Sequence, residues 1–399
     1  MRVSTQQQID RFLGTIICKI LSFFYIFSRK NSRPEKIEKI LVILLSEIGA
    51  LVLAYPMLKK LKGKYPHASL NFLVFEKNRE ILELFGFIPK ENVLTLNNES
   101  MIRFTKDIVR ILAEMRKIKL NVVIDCELFS RITSILSFLS GARIRVGFHP
   151  FTQEGLFRGN FINRPVLYNP YHHISQQFLT LVEAIDSTTH PKAKRIVDDE
   201  RLEPPKIKFK PDEINKAMKR LHNYAPCIKG RKAVLIYPSG GLLPIRAWPR
   251  EYYSQLAKEL TQKGYAVGII GLKEDKNIAK EILFRCQNAN CVDLTGYTRT
   301  IRELLMIFHR ASLLITNDGG PGQFAAMTST PAIILYGPET PTLYGTLNEN
   351  AFNFYLSLSC SPCLTAYNHR RTPCNGDNLC LKKIPPHRVL AKALEILKA

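Results

Sequence analysis

Acidic residues are scarce in this 399-residue chain: 34 Asp and Glu stand against 57 Lys and Arg, for a net charge of +23. That imbalance argues against a cationic partner and for one rich in phosphate: an anionic membrane, a phosphorylated substrate or a nucleic acid. No basic stripe interleaved with aromatics and no known reader motif is present, so nucleic acid is not the expected partner. Long hydrophobic runs are also lacking. The stretch "FLGTIICKILSFFYIF" at residues 12–27 is interrupted by Lys19 and spans roughly 24 Å as a helix, short of the ~20 residues a bilayer crossing needs. No small-residue cleavage site follows it, so a signal peptide is not expected. Short-period repeats and low-complexity tracts are absent, which excludes a solenoid. The nine cysteines are an odd number, and together with the missing signal peptide they favour a reducing compartment.

The composition that remains, 46% apolar and 23% charged, describes a well-packed protein, and the length suits two domains. Residues 1–40 hold eight Lys/Arg against three Asp/Glu. An amphipathic segment over 1–37, lying in the plane of an anionic leaflet, is the expected reading, with a short anchor or a helix docked on the body as alternatives. Beyond it two halves share one rhythm. Buried-strand patterns at 39–45, 68–75 and 120–126 alternate with helical patterns at 51–66, 79–85, 103–117 and 131–141. The pattern restarts at 232–241, with strands at 265–271, 312–318 and 331–337 and helices at 251–264, 275–283 and 301–311. Such alternation predicts parallel sheets with right-handed crossovers. The expected fold is α/β: an acceptor-side domain over 38–185, a charged, proline-bearing linker over 186–230, a second domain over 231–385 and a terminal helix over 386–399. Two doubly wound, Rossmann-like domains facing each other across a cleft fit this layout, and their ligands belong at the carboxyl ends of strands. The loops after Leu45, Tyr237, Ile270 and Thr316 are therefore the candidates.

The most informative motif is "LLITNDGGPGQFAAMTSTPAIILYGPETP" at 313–341. A strand ends in Asn317-Asp318, glycines follow at 319, 320 and 322, and a helix resumes. Glycines at a helix start let backbone N–H groups approach an anion such as a diphosphate; the competing reading is a tight turn. In "YPSGGLLPIRAWPREYYSQLAKEL" at 237–260, a Ser/Gly loop precedes Arg246, suited to phosphate oxygens, and Trp248, expected to be a packing anchor more than a stacking platform. Four thiols, Cys360, Cys363, Cys374 and Cys380, fall within 21 residues and suggest a structural zinc site, against the alternative of reduced thiols in a packed extension.

Taken in order, "PSGG…R-x-W-P", "GIIG", "DLTG…IRELL" and "TNDGGPGQFAA…TPAIILYGPETP" resemble glycosyltransferase family 9, which contains the ADP-heptose:lipopolysaccharide heptosyltransferases. The opening "KILVILLSEIGALVLAYPMLKKLKGKYP" is similar to that family's first strand–loop–helix. The resemblance implies a GT-B architecture and inverting transfer of a heptose or similar sugar from a nucleotide-diphosphate donor. The acceptor implied is a lipopolysaccharide-core or related envelope glycan, an anionic glycolipid, met on the inner face of the bacterial cytoplasmic membrane by a cytoplasmic, peripheral enzyme. No catalytic cofactor is implied beyond the ADP-heptose-like donor. Carried over by position, Ser239, Gly240, Arg246, Asp318, Gly319, Gly320 and Gln323 fall on the donor side. Gln323 stands where the family commonly has histidine, leaving an amide that can donate a hydrogen bond. Ala50 stands where the family usually has the aspartate that serves as base. Glu47, in the same loop, is the first candidate to replace it, followed by Asp125 and Glu127. Arg131 is a candidate for an acceptor phosphate or a partner of Glu127, while His149, His172 and His173 read as structural. The alternative is a non-catalytic nucleotide-sugar or glycan-binding relative that has lost the base.

Overall fold

The computed structural model describes the chain apart from residues 1, 2, 28–35, 46, 129, 149–156, 188, 192, 195, 196, 198–200, 366–371, 373 and 399 and the side chains of 3, 4 and 7. It divides into two compact units, one running through Glu203 and the other beginning at Pro204. The first holds β1 (Lys39–Ile43), β2 (Ser69–Phe75), β3 (Val93–Leu96), β4 (Val122–Asp125), β5 (Ile144–Phe148) and β6 (Arg164–Val166). They form one sheet in the order β3-β2-β1-β4-β5-β6, and every pairing is parallel. The second holds β7 (Ala233–Tyr237), β8 (Ala266–Gly271), β9 (Cys291–Thr295), β10 (Leu313–Asn317), β11 (Ala332–Leu335) and β12 (Ala351–Phe354). Its order, β12-β11-β10-β7-β8-β9, is again all parallel. Read from β9, the second sheet repeats the 3-2-1-4-5-6 order of the first, the doubly wound arrangement.

Burial on both faces explains the strand sequences. "KILVI" in β1 and "LLITN" in β10 are covered almost throughout, so they read as continuous apolar runs without alternation. The helix expected across 51–66 is two helices, Ile48–Leu53 and Tyr55–Lys64, broken at Ala54. Pro56 has no N–H to offer the carbonyl four residues back, so the first helix ends there and the second begins with proline in its opening turn. Helix Met101–Ile118 is opened by the Ser100 hydroxyl, which accepts the Arg103 N–H at 3.3 Å.

At the N-terminus, Val3–Ile9, a π-helical turn at Asp10–Gly14 and Thr15–Phe27 make one continuous helical rod. It lies on helix Arg131–Leu139 of the first unit. Asp10 accepts the backbone N–H groups of Arg131 and Ile132, both at 2.9 Å, and so caps that helix from outside. Cys18 is fully buried with Ile135 and Phe161, Tyr25 packs edge-on to Phe138, and Ser22 accepts the Asn160 N–H at 2.9 Å. Gly14 is required at the contact, because a Cβ there would sit 2.9 Å from the Cβ of Arg131. Among the described residues no helix is long and apolar enough to cross a membrane.

If Asp10 caps the helix as the geometry indicates, Asp10→Ala should weaken the first turn of Arg131–Leu139 by about 1–2 kcal/mol. Hydrogen exchange at the Arg131 and Ile132 amides should then accelerate by roughly 5–30-fold. Unchanged exchange at both amides would remove the cap from the account.

Candidate functional site

In each sheet the strand order reverses between the first and fourth strands, β1 with β4 and β7 with β10. Doubly wound sheets take ligands in the crevice outside the carboxyl ends at that switch point. The loops after Leu45, Tyr237 and Thr316 all lie there. The loop after Ile270 follows β8, one strand away from the reversal.

In the first unit the loop after β1 ends at Glu47, whose extended backbone (φ −57°, ψ 148°) immediately precedes helix Ile48–Leu53. Glu47 is half-buried, and its carbonyl accepts the Ala50 N–H at 2.9 Å. A carboxylate at a helix start is favoured by the helix dipole. Glu127, buried, accepts the Leu45 N–H at 2.7 Å and so braces this same loop from β4. Asp125 was a further candidate for the base, but the structure gives it another job. It is completely buried, is bonded to the Arg158 guanidinium, accepts the Thr133 hydroxyl at 3.1 Å and accepts the Glu127 N–H at 3.1 Å. Burial pushes its carboxyl up from 3.8 to about 6, with Arg158 pulling the other way. Arg131 is also buried, and its charged partner is Asp10 at 3.5 Å, not Glu127. His173 accepts the Ser175 N–H at 3.3 Å as the cap of helix Ile174–Glu183, and the His172 carbonyl accepts the Gln177 amide at 2.9 Å. His149 lies outside the described residues.

In the second unit the loop after β7 turns tightly at Gly240, where a Cβ would fall within 2.7–2.9 Å of backbone atoms of Leu243 and Pro244. Only glycine fits that approach. Ser239, mostly buried, accepts the Gly241 N–H at 3.2 Å. Arg246, a candidate for phosphate oxygens, has a side chain only 4% exposed, with its guanidinium 2.6 Å from Glu339 and 3.8 Å from Asp318. A guanidinium buried between two carboxylates keeps its charge and is fixed in direction. Trp248 is the packing anchor the sequence suggested. It is fully buried, donates its ring N–H to Ile384 O at 2.9 Å and meets Tyr252 and Tyr253 edge-on.

Two residues central to this loop were not singled out from sequence. Asn317, completely buried at the end of β10, accepts the Trp248 N–H at 2.9 Å and the Tyr253 hydroxyl at 3.0 Å while donating to Ser239 O at 3.1 Å. Glu339 holds Arg246. Both belong to quoted motifs; the signal available for Asn317 was a polar residue closing a buried strand, while Glu339 sits in the loop after β11 and left none. After Asp318, helix Gly320–Thr328 begins with Gly319 as its extended cap. The N–H groups of Gly320 and Gly322 precede the first intrahelical bond, and Pro321 has none to leave unpaired. Gln323 is 4% exposed, and its amide nitrogen donates to Tyr344 O at 2.9 Å. One of the two amide N–H groups is thus engaged, and among the described residues Oε1 has no hydrogen-bond partner. Gln323 can offer a ligand its carbonyl oxygen as an acceptor and its second N–H as a donor.

The four C-terminal thiols differ in their surroundings. Cys360 is exposed, Cys380 is buried in the apolar core with Leu381, and Cys363 takes a hydrogen bond from the Thr372 hydroxyl at 3.1 Å. None of the four forms a disulfide, and among the described residues no three His, Cys, Asp or Glu side chains group as metal ligands would. Burial pushes the Cys380 thiol up to about 11.

Residues 110–372 match the model of glycosyltransferase family 9 (heptosyltransferase). The chain is 23% identical over 319 residues to lipooligosaccharide heptosyltransferase 2 of Haemophilus ducreyi, covering 78% of this chain and 87% of that one. Among solved structures, the E. coli ADP-heptose lps heptosyltransferase II superposes with a TM-score of 0.69 at 22% identity, over 90% of this chain and 98% of that one. The E. coli heptosyltransferase WaaC with ADP superposes at 0.60 and 17% identity, over 90% and 99%. The two parallel sheets and this likeness identify the GT-B fold.

The Asp125–Arg158 pair generates a prediction of its own. Its folded carboxyl binds a proton more tightly than an unfolded one, so its contribution to stability is full below the unfolded value of 3.8 and fades as pH rises through about 6. Arg158→Met leaves the buried carboxylate unpaired and should cost about 3–5 kcal/mol at pH 7. The penalty should shrink on acidification below pH 6, as the carboxyl takes up its proton. Urea unfolding at pH 7 and pH 4.5 measures both, and a pH-independent penalty would contradict the assignment.

Proposed function

The chain belongs to glycosyltransferase family 9, and from that premise we propose that it moves a heptose or similar sugar from an ADP-heptose-like donor to a lipopolysaccharide-core or related envelope glycan. The observation that carries this reading is the glycine-opened helix Gly320–Thr328 at the switch point of the second sheet, with Arg246 fixed beside Asp318. The N–H groups of Gly320 and Gly322 and the positive helix end suit a diphosphate. As the sugar–phosphate bond breaks, charge grows on the departing oxygen, and preorganised donors of this kind stabilise it without reorganising. Ser239 and Gly240 shape the wall opposite, and Gln323 Oε1 is an acceptor for a hydroxyl of the donor.

Inversion requires the acceptor hydroxyl to attack the anomeric carbon opposite the departing diphosphate. A base must take its proton as the new bond forms. We assign that role to Glu47, which has the required chemistry in the loop after β1 and is half-buried, not spent in the core as Asp125 is. The acceptor is an anionic glycolipid, and the enzyme works peripherally at the inner face of the cytoplasmic membrane. The +23 charge supports such a partner.

Release of ADP from ADP-heptose in the presence of core oligosaccharide tests the reading, and no release with any envelope acceptor would refute it. Glu47→Gln should lower kcat by about 10²–10⁴-fold while leaving donor affinity intact. Full turnover in that variant would remove Glu47 as the base. Adenosine diphosphate at 100 times its Kd should add about 2.7 kcal/mol to stability. Thermal shift would read this gain, and Gly240→Ala, which forces the phosphate-side loop open, should abolish most of it.

A further inference from the structure

The N-terminal rod has two faces of different kinds. Asp10, Gly14, Cys18, Ser22 and Tyr25, spaced three or four apart, turn toward the first unit and are held there by the cap, the close approach and the packing described above. Arg145 adds a guanidinium over the Tyr25 ring at 5.3 Å. The opposite face carries large apolar side chains in the open: Phe12, Ile16, Ile20, Phe23, Phe24 and Phe27, with Phe23 and Phe24 59% and 60% exposed. A contiguous apolar strip of this size on a folded surface marks a place of contact.

Charge says what the contact is. Within residues 3–27 the one carboxylate is Asp10, and it is turned inward to cap helix Arg131–Leu139, while Arg11 and Lys19 are exposed. At the far end of that helix Arg116, which donates to Leu139 O at 2.6 Å, and Arg143 are exposed as well. In sequence, Arg29, Lys30 and Arg33 follow the rod. A second copy on this face would set like charges against each other, whereas anionic headgroups over an acyl layer complement both features.

We propose that the rod Val3–Phe27 is an in-plane membrane helix built rigidly into the first unit, its outer face sunk into an anionic bilayer surface. This rests on the reading that the acceptor is a membrane glycolipid, and it adds how the enzyme is oriented. Gly14 meets Arg131 and Tyr25 meets Phe138, so the rod runs alongside Arg131–Leu139 in the same direction. That helix links parallel strands β4 and β5 and so runs back antiparallel to them. With the strip flat on the bilayer, the strands lie along the surface. The carboxyl ends of β1 and β4, with Glu47, then open sideways over the headgroups, where the sugars of a glycolipid stand.

Flotation of the full chain with phosphatidylglycerol-containing vesicles tests the proposal. The native chain should float with these vesicles and bind ~10-fold or more weakly to phosphatidylcholine alone. Phe23→Asp with Phe24→Asp should lose binding by a similar factor while keeping the native melting temperature and full transfer to a lipid-free acceptor. Failure of the native chain to float would overturn the proposal. So would a native dimer, seen by sedimentation, that the double substitution dissolves. If the chain floats but transfers no sugar, the membrane face stands and the activity proposed above falls.

Discussion

Covering both faces of a parallel sheet leaves few places where side chains can do chemistry. Along β1, β4, β7 and β10 nearly every side chain is packed, and the backbone is spent on pairing with neighbours. Polar function is therefore pushed to the loops at the carboxyl ends, and most strongly to the strands that flank the reversal of order. In the second unit a single carboxamide organises that edge. Asn317 ends β10 and bonds to the backbone at Ser239 and Trp248 and to the Tyr253 hydroxyl, so the loop after β7 takes its shape from a residue on the neighbouring strand.

The first unit solves the same problem with charge. Its topologically equivalent strand, β4, ends in Asp125, and the group there ties Arg158, Thr133 and the Glu127 backbone together. A neutral amide in that position satisfies its neighbours at little desolvation cost, whereas a carboxylate needs a buried cation to remain ionised. The result is a firmer but pH-sensitive edge. Glu127 continues the brace to Leu45, so the loop that carries Glu47 is held from two strands at once.

What could be read from sequence follows the same physics. Central strands, buried on both faces, announced themselves as apolar runs. The four sheet edges, β3, β6, β9 and β12, did not enter the expected alternation, being short or covered on one side only, as the pattern of "AFNF" in β12 shows. β5 also escaped, because Arg145 interrupts its run, though that guanidinium is buried and bonded to Phe161 O and Ala142 O. For the site, loop positions were legible, since a strand, a glycine turn and a helix start leave a local record. Partners were not. Arg158 lies 33 residues from Asp125 and Glu339 lies 93 from Arg246, and nothing local to either sequence joins them.

The replacement of an expected aspartate by Ala50 looks like a loss until the helix start is considered. Glu47 is the N-cap of Ile48–Leu53, which makes Ile48, Gly49 and Ala50 its first three helical residues. N-cap and third-position side chains lie on the same side of the first turn, near enough to reach each other's backbone in a capping box. Moving a carboxylate from the third position to the cap therefore keeps it on one face of one turn, and glutamate's extra methylene offsets part of the displacement. A small residue at position 50 then has a positive meaning. A methyl there leaves the third position without a polar group of its own. Gly49 between them, buried, keeps the turn narrow. On the proposed assignment of Glu47 as the base, Glu47 and Ala50 form one exchanged pair at a single helix start.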